Sequence, residues 1–97
     1  MALSLTPRQR KQLKARAHAL EPVVQLGQAG LSDTVAAEID RSLTAHGLIK
    51  VRIGEADRNE REALASEICD RTGAAAVQSV GRVLVLWRPR EDDEPLD

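Results

Sequence analysis

LGQAGLS, residues 26–32, joins an apolar run, PVVQ, to a helix-like run, DTVAAEIDRSLTAHG, and sets two glycines three positions apart at the junction. A strand-to-helix turn needs only one residue at positive φ, which glycine adopts without a Cβ penalty. The pair therefore has two readings. In one, Gly27 supplies the positive φ and Gly30 relieves crowding ahead of the helix. In the other, the pair leaves a stretch of bare backbone against which a ligand can lie.

Working outward, the junction sits inside an alternation of helices and strands. Thr6 followed by Pro7 reads as N-cap and first helical residue, which predicts a helix to about residue 19 with Leu13, Ala17 and Leu20 as its buried stripe. Pro22 stops it, and residues 23–26 form a short apolar strand of the kind covered on both faces. Ser32 or Asp33 can cap a second helix with Val35, Ile39 and Leu43 at a spacing of four, stopped by Gly47 after His46. In LIKVRI, residues 48–53, Ile49, Val51 and Ile53 face one way and Lys50 and Arg52 the other. Asp57 with Glu60 makes a capping-box start for a third helix that buries Leu64 and Ile68, with Ala65 and Cys69 alongside, and closes at Gly73. Val80 and Val83 flank Gly81-Arg82, a type II′ hairpin turn. The reading is one α/β (α+β) domain of order α-β-α-β-α-β-β, a four-stranded mixed sheet with three helices. Strand-helix-strand units imply parallel neighbours joined by right-handed crossovers.

Composition removes several classes of function. There is no Phe or Tyr and one Trp, Trp87, so recognition by a bed of aromatic rings is excluded. One cysteine rules out an internal disulfide, and Cys69 with His18 and His46 falls short of a zinc ligand set, which fits a reducing, cytosolic setting. MALSLTPRQRKQ lacks the apolar centre of a signal peptide, and no apolar run reaches membrane-spanning length. The net charge of −1 conceals a division: residues 1–30 carry Arg8, Arg10, Lys11, Lys14 and Arg16 against Glu21 alone, while EDDEPLD, residues 91–97, carries five acids and no base. Residues 1–90 are thus a mildly basic domain, and 91–97 read as an acidic, disordered tail. Basic charge concentrated on one helix suits a polyanion and equally suits a solvated face.

Chemistry placed on this frame centres on the junction. Loop amides between the glycines and the N–H groups opening the second helix can converge on an anion, and a GxxG loop clamps nucleotide backbone in KH-type RNA-binding domains. Lys50 and Arg52, on a neighbouring strand, are candidates to add charge or are simply solvent-facing. His18 and His46 fit favourable positions at helix C-termini, and Cys69 fits a small core residue. The alternating charges of DRNERE read as surface pairs, and Trp87 as core or sheet-edge packing, with stacking on a base as the alternative. No catalytic constellation and no metal site emerge.

Three blocks, AHALEPVVQLGQAGLSDTVAAEID, LIKVRI and RTGAAAVQSVGRVLVLWRP, in this order resemble the CRM domain (chloroplast RNA splicing and ribosome maturation), specifically its bacterial single-domain YhbY-like members, over roughly residues 3–90. The resemblance implies a fold like the C-terminal domain of a bacterial translation initiation factor. It also implies a cytoplasmic, non-enzymatic RNA-binding protein without cofactor or small-molecule substrate, acting on ribosomal RNA of large-subunit precursors to assist ribosome maturation. On this view Gly27, Gln28, Ala29 and Gly30 form the GxxG loop, and the first helix, with Arg8, Arg10, Lys11 and Lys14, is the adjoining contact surface. Two departures predict modest affinity: Gln28-Ala29 stands where many relatives place a basic residue, and the tail is acidic. The alternative is an adaptor that docks on a ribosomal protein or assembly factor through its basic helix.

Overall fold

The computed structural model describes residues 4–27, 30–54 and 56–90. Seven elements follow the expected order: α1 (Pro7–Ala17), β1 (Pro22–Gln25), α2 (Asp33–His46), β2 (Leu48–Arg52), α3 (Arg58–Thr72), β3 (Ala75–Val80) and β4 (Val83–Trp87). Local signals explain most boundaries. The Thr6 hydroxyl accepts from the Gln9 amide and the Gln9 side chain accepts from the Thr6 amide, each at 3.1 Å, a full capping box ahead of Pro7. Ser32 caps α2, and Asp57 with Glu60 forms the expected box at α3. Gly47 (φ 77°) and Gly73 (φ 73°) end α2 and α3 in backbone that side-chain-bearing residues rarely adopt. α1 ends at Ala17, short of residue 19, because His18 and Leu20 donate to carbonyls three residues back, tightening the last turn.

The strand order is β1-β2-β4-β3. β1 and β2 are parallel neighbours joined through α2, as expected, and β4 is antiparallel to both β2 and β3. The expectation of adjacency fails for β2 and β3. They are joined through α3 and run the same way, but β4 turns back at the hairpin and inserts between them. That hairpin has the expected geometry: Gly81 has φ 58°, and no non-glycine described residue, Arg82 included, has positive φ, which selects type II′ over I′.

α2 and α3 cover one face of the sheet. Ile39, Leu43, Ile49, Val51, Ile68 and Leu84 form the centre of that core, each at most 2% exposed; full burial of such a side chain is worth about 1.5–3 kcal/mol. On the other face α1 packs Leu13 and Ala17 on Val77 and Val85, with Trp87 half-buried beside them. β1 corrects the sequence reading. It is an edge strand with Val24 buried and Val23 53% exposed, because α1 lies over β2, β3 and β4 and leaves the outer face of β1 bare.

Two arginines act as long-range staples. Arg10 of α1 donates to the carbonyls of Ala76 and Val77 at 2.5 and 2.7 Å, where β3 is interrupted by a register shift against β4. Arg88, just past β4, donates to the Asp40 carboxylate (2.7 Å), the Thr72 carbonyl (2.7 Å) and the Thr44 hydroxyl (2.8 Å), tying the sheet to both α2 and α3.

Candidate nucleic-acid interface

The glycine pair closes the C-terminal end of β1. The Gly30 amide donates to the Gly27 carbonyl at 3.0 Å, and the two residues pair as an isolated antiparallel bridge. Gly30, not Gly27, has the positive φ, 77°. The reading in which the glycines serve only the turn gives the positive φ to Gly27; it falls on Gly30 instead. A Cβ added at either glycine meets no atom within 4 Å, so neither is required by crowding. Gln28 and Ala29, the middle of the expected loop, lie outside the described residues.

A cleft of 640 Å³ runs beside this loop, lined by Gly27, Gly30 and Gly54 on one side and by Glu60 and Leu64 of α3 on the other. The cleft thus combines bare backbone with Glu60, whose carboxylate accepts from the Asp57 amide at 3.4 Å. The N-terminus of α2 is also partly self-satisfied: the Ser32 hydroxyl accepts from the Val35 amide at 3.1 Å, and the exposed Asp33 carboxylate sits in the positive end of the helix. Arg71, from the last turn of α3, pairs with Asp33 at 2.6 Å. Arg71 was missed by the sequence reading because it lies 38 residues from its partner; only the packing of α3 against α2 brings them together.

The expected basic residues divide into three groups. Arg8 and Lys11 are exposed on α1. Arg10 is half-buried and committed to the edge of β3, a structural role the position off the Leu13 stripe did not suggest. Lys14 of α1 meets Lys50 and Arg52 of β2 in a groove of 530 Å³ on the α1 side of the sheet, with His18 on its rim. Arg52 also stands next to the glycine loop: it pairs with Gln25, and its carbonyl accepts from the Leu26 amide at 2.9 Å.

The remaining candidates keep their unreactive roles. Cys69 is buried, and desolvation, reinforced by Asp70, pushes its thiol above the usual range. The Asp57 carboxyl is held below the usual range, chiefly by the Glu60 amide it caps. Arg58 and Glu62 form an exposed pair at 3.5 Å. Among the described residues no group of three or more His, Cys, Asp and Glu could hold a metal ion, and no helix is long and apolar enough to cross a membrane.

Comparison with known proteins follows the same outline. Residues 5–88 match the CRS1/YhbY (CRM) domain. An RNA-binding protein of Haemophilus influenzae is 45% identical over 92% of this chain and 90% of its own length. A protein of Pseudomonas aeruginosa, named as a probable RNA-binding protein, is 40% identical over 89% of this chain and 83% of its own. Among solved structures, the hypothetical protein SAV1595 of Staphylococcus aureus superposes with a TM-score of 0.84 at 27% identity, covering 94% of this chain and 95% of that one.

Proposed function

The chain belongs to the CRS1/YhbY (CRM) domain family, and from that premise we propose that it is a cytoplasmic RNA-binding protein whose ligand is ribosomal RNA of large-subunit precursors and whose task is to assist their maturation. The observation that carries the reading is the position of the glycine loop. It lies at the same end of the sheet as Arg52, whose side chain also lines the groove that gathers Lys14 and Lys50. Phosphate oxygens would lie along bare backbone at Gly27 and Gly30 and be neutralised by these side chains and the exposed Arg8 and Lys11. The family's GxxG reading also assigns Gln28 and Ala29 to the contact. With a single tryptophan and no other aromatic residue, recognition rests on backbone and shape more than on stacking.

The test is a salt titration of binding to single-stranded or looped ribosomal RNA. About three to five phosphate contacts give a slope of log K against log salt of roughly −2 to −3.5. Lys11→Glu with Lys14→Glu should weaken binding at an unchanged melting temperature; Arg10 is left intact because it holds β3. Replacing Gln28 and Ala29 with aspartates should abolish binding through repulsion. A flat titration would sink the RNA reading.

A further inference from the structure

α1 covers only part of its face of the sheet. It packs on Leu48, Val77, Val85 and Trp87, leaving open the end where β2 finishes and the β3–β4 hairpin turns. The floor there is aliphatic, Val80 at 55% exposure and Val83 beside it, and the walls are Lys14, His18, Lys50 and Arg52. None of the described residues lining this groove carries a carboxylate. Three other clefts among the described residues each have one: Glu60 beside the glycine loop, Glu21 along β1, and Glu62 between α3 and β3. The groove is also connected to the glycine loop. Arg52 borders both the groove and the cleft along β1, and Gln25 borders both that cleft and the one at the loop.

We propose that the groove is a second RNA subsite, specific for an unpaired strand: RNA leaving the glycine loop passes Gln25 and Arg52 and lays a base on Val80 and Val83, with its phosphates toward Lys14 and Lys50. This rests on the RNA-binding reading above and adds a path and a strand preference to it. A duplex presents phosphates but keeps its base faces stacked, so it can satisfy the cations and not the aliphatic floor. An unpaired strand offers both, and a guanidinium such as that of Arg52 can stack on an exposed base. The acid-free lining favours a polyanion, and continuity with the loop favours one running along the chain's own surface.

The experiment measures fluorescence anisotropy of the full chain with an unstructured RNA of about twelve nucleotides, within the range of single-strand sites on small domains, and with a blunt duplex of the same length. V80S alters no charge. It should weaken binding of the unpaired RNA about threefold, leave the salt slope unchanged and leave the duplex unaffected. K14Q with K50Q should reduce the slope by roughly 1.4, about 0.7 for each lost phosphate contact on a single strand. Thermal melts of each variant confirm folding. An equal effect of V80S on both RNAs overturns the strand preference. Wild-type RNA binding by both groove variants, alongside loss of binding in the Gln28 and Ala29 aspartate pair, overturns the groove assignment while the RNA reading stands, and leaves the groove to an acidic protein segment. Absence of salt-dependent binding by the unaltered chain removes both.

Discussion

Alanine placed separately at Gly27 and at Gly30 distinguishes backbone shape from ligand contact. At Gly30, with φ 77°, a side chain is forced into left-handed backbone at a cost of about 1–2 kcal/mol. The space around the new Cβ is open, so no clash or packing modifies that figure. Restricting the unfolded chain returns about 0.4–1 kcal/mol, which leaves a net loss of about 1 kcal/mol and a drop in Tm of about 4–8 °C for a domain of this size. At Gly27 φ is not positive and the space is equally open, so only the unfolded-state term remains. That variant should be as stable as the parent or more so by up to about 1 kcal/mol. Urea unfolding followed by the fluorescence of half-buried Trp87 reads both, and the two variants should differ by about 1–2 kcal/mol, the strain alone. RNA affinity then adds the second reading: if a sugar-phosphate backbone lies against Gly27, the added methyl displaces it and affinity falls in a protein that has lost no stability. Equal stabilities for the two variants would refute the assignment of positive φ to Gly30. Wild-type affinity for Gly27→Ala would refute close approach at that residue.

Three further outcomes are expected. Arg88→Met removes charge-assisted bonds to Asp40 and the bonds to Thr72 and Thr44, and should lower the urea-derived stability by about 2 kcal/mol; no change would show that the staple is dispensable. Cys69, buried with its thiol pushed up, should react with a thiol reagent only as fast as the domain opens. Because the unfolded thiol ionises first as pH rises, this residue's contribution to stability should be complete below the ordinary value of 9.0 and decline above it, a trend that a Cys69→Ala variant should lack. A chain ending at Arg90, without the five acids of residues 91–97, should bind RNA about threefold more tightly at low salt and nearly equally at high salt, since exposed charges are screened; equal affinity at low salt would make the tail a solubility element.

What was legible in the sequence was local. Helix starts follow from Thr6-Pro7, Ser32 and Asp57-Glu60, stops from Gly47 and Gly73, the buried Ile39 and Leu43 of α2 from a spacing of four, though Ala36 is buried where Val35 was expected, and the buried set of β2 from a spacing of two. What was not legible depends on contacts between distant segments. Whether β4 lies outside β3 or between β2 and β3 is a matter of pairing energy that the order of elements leaves open. β1 is apolar enough for an interior strand; its edge position is decided by which strands pair, and the exposure of Val23 by where α1 docks. The candidate site shows the same division. The glycines and the cations were visible as residue types, but the choice of Gly30 for the positive φ, the diversion of Arg10 to the carbonyls of β3 and the pairing of Arg71 with Asp33 are fixed only when the helices settle on the sheet.

The central position of β4 also bears on how the chain is made. During synthesis β1, α2 and β2 can associate early, since their pairing is between neighbours in sequence. β3 has no strand to join until residues 83–87 emerge, because β4 is the strand it pairs with. The exposed apolar edges of β2 and β3 therefore persist on the ribosome until β4 arrives, a state in which open strand edges invite association. The consequence is an all-or-none domain: a stop codon before residue 87 should leave no stable half, and a break in the β3–β4 hairpin should be far more damaging than its exposed position suggests.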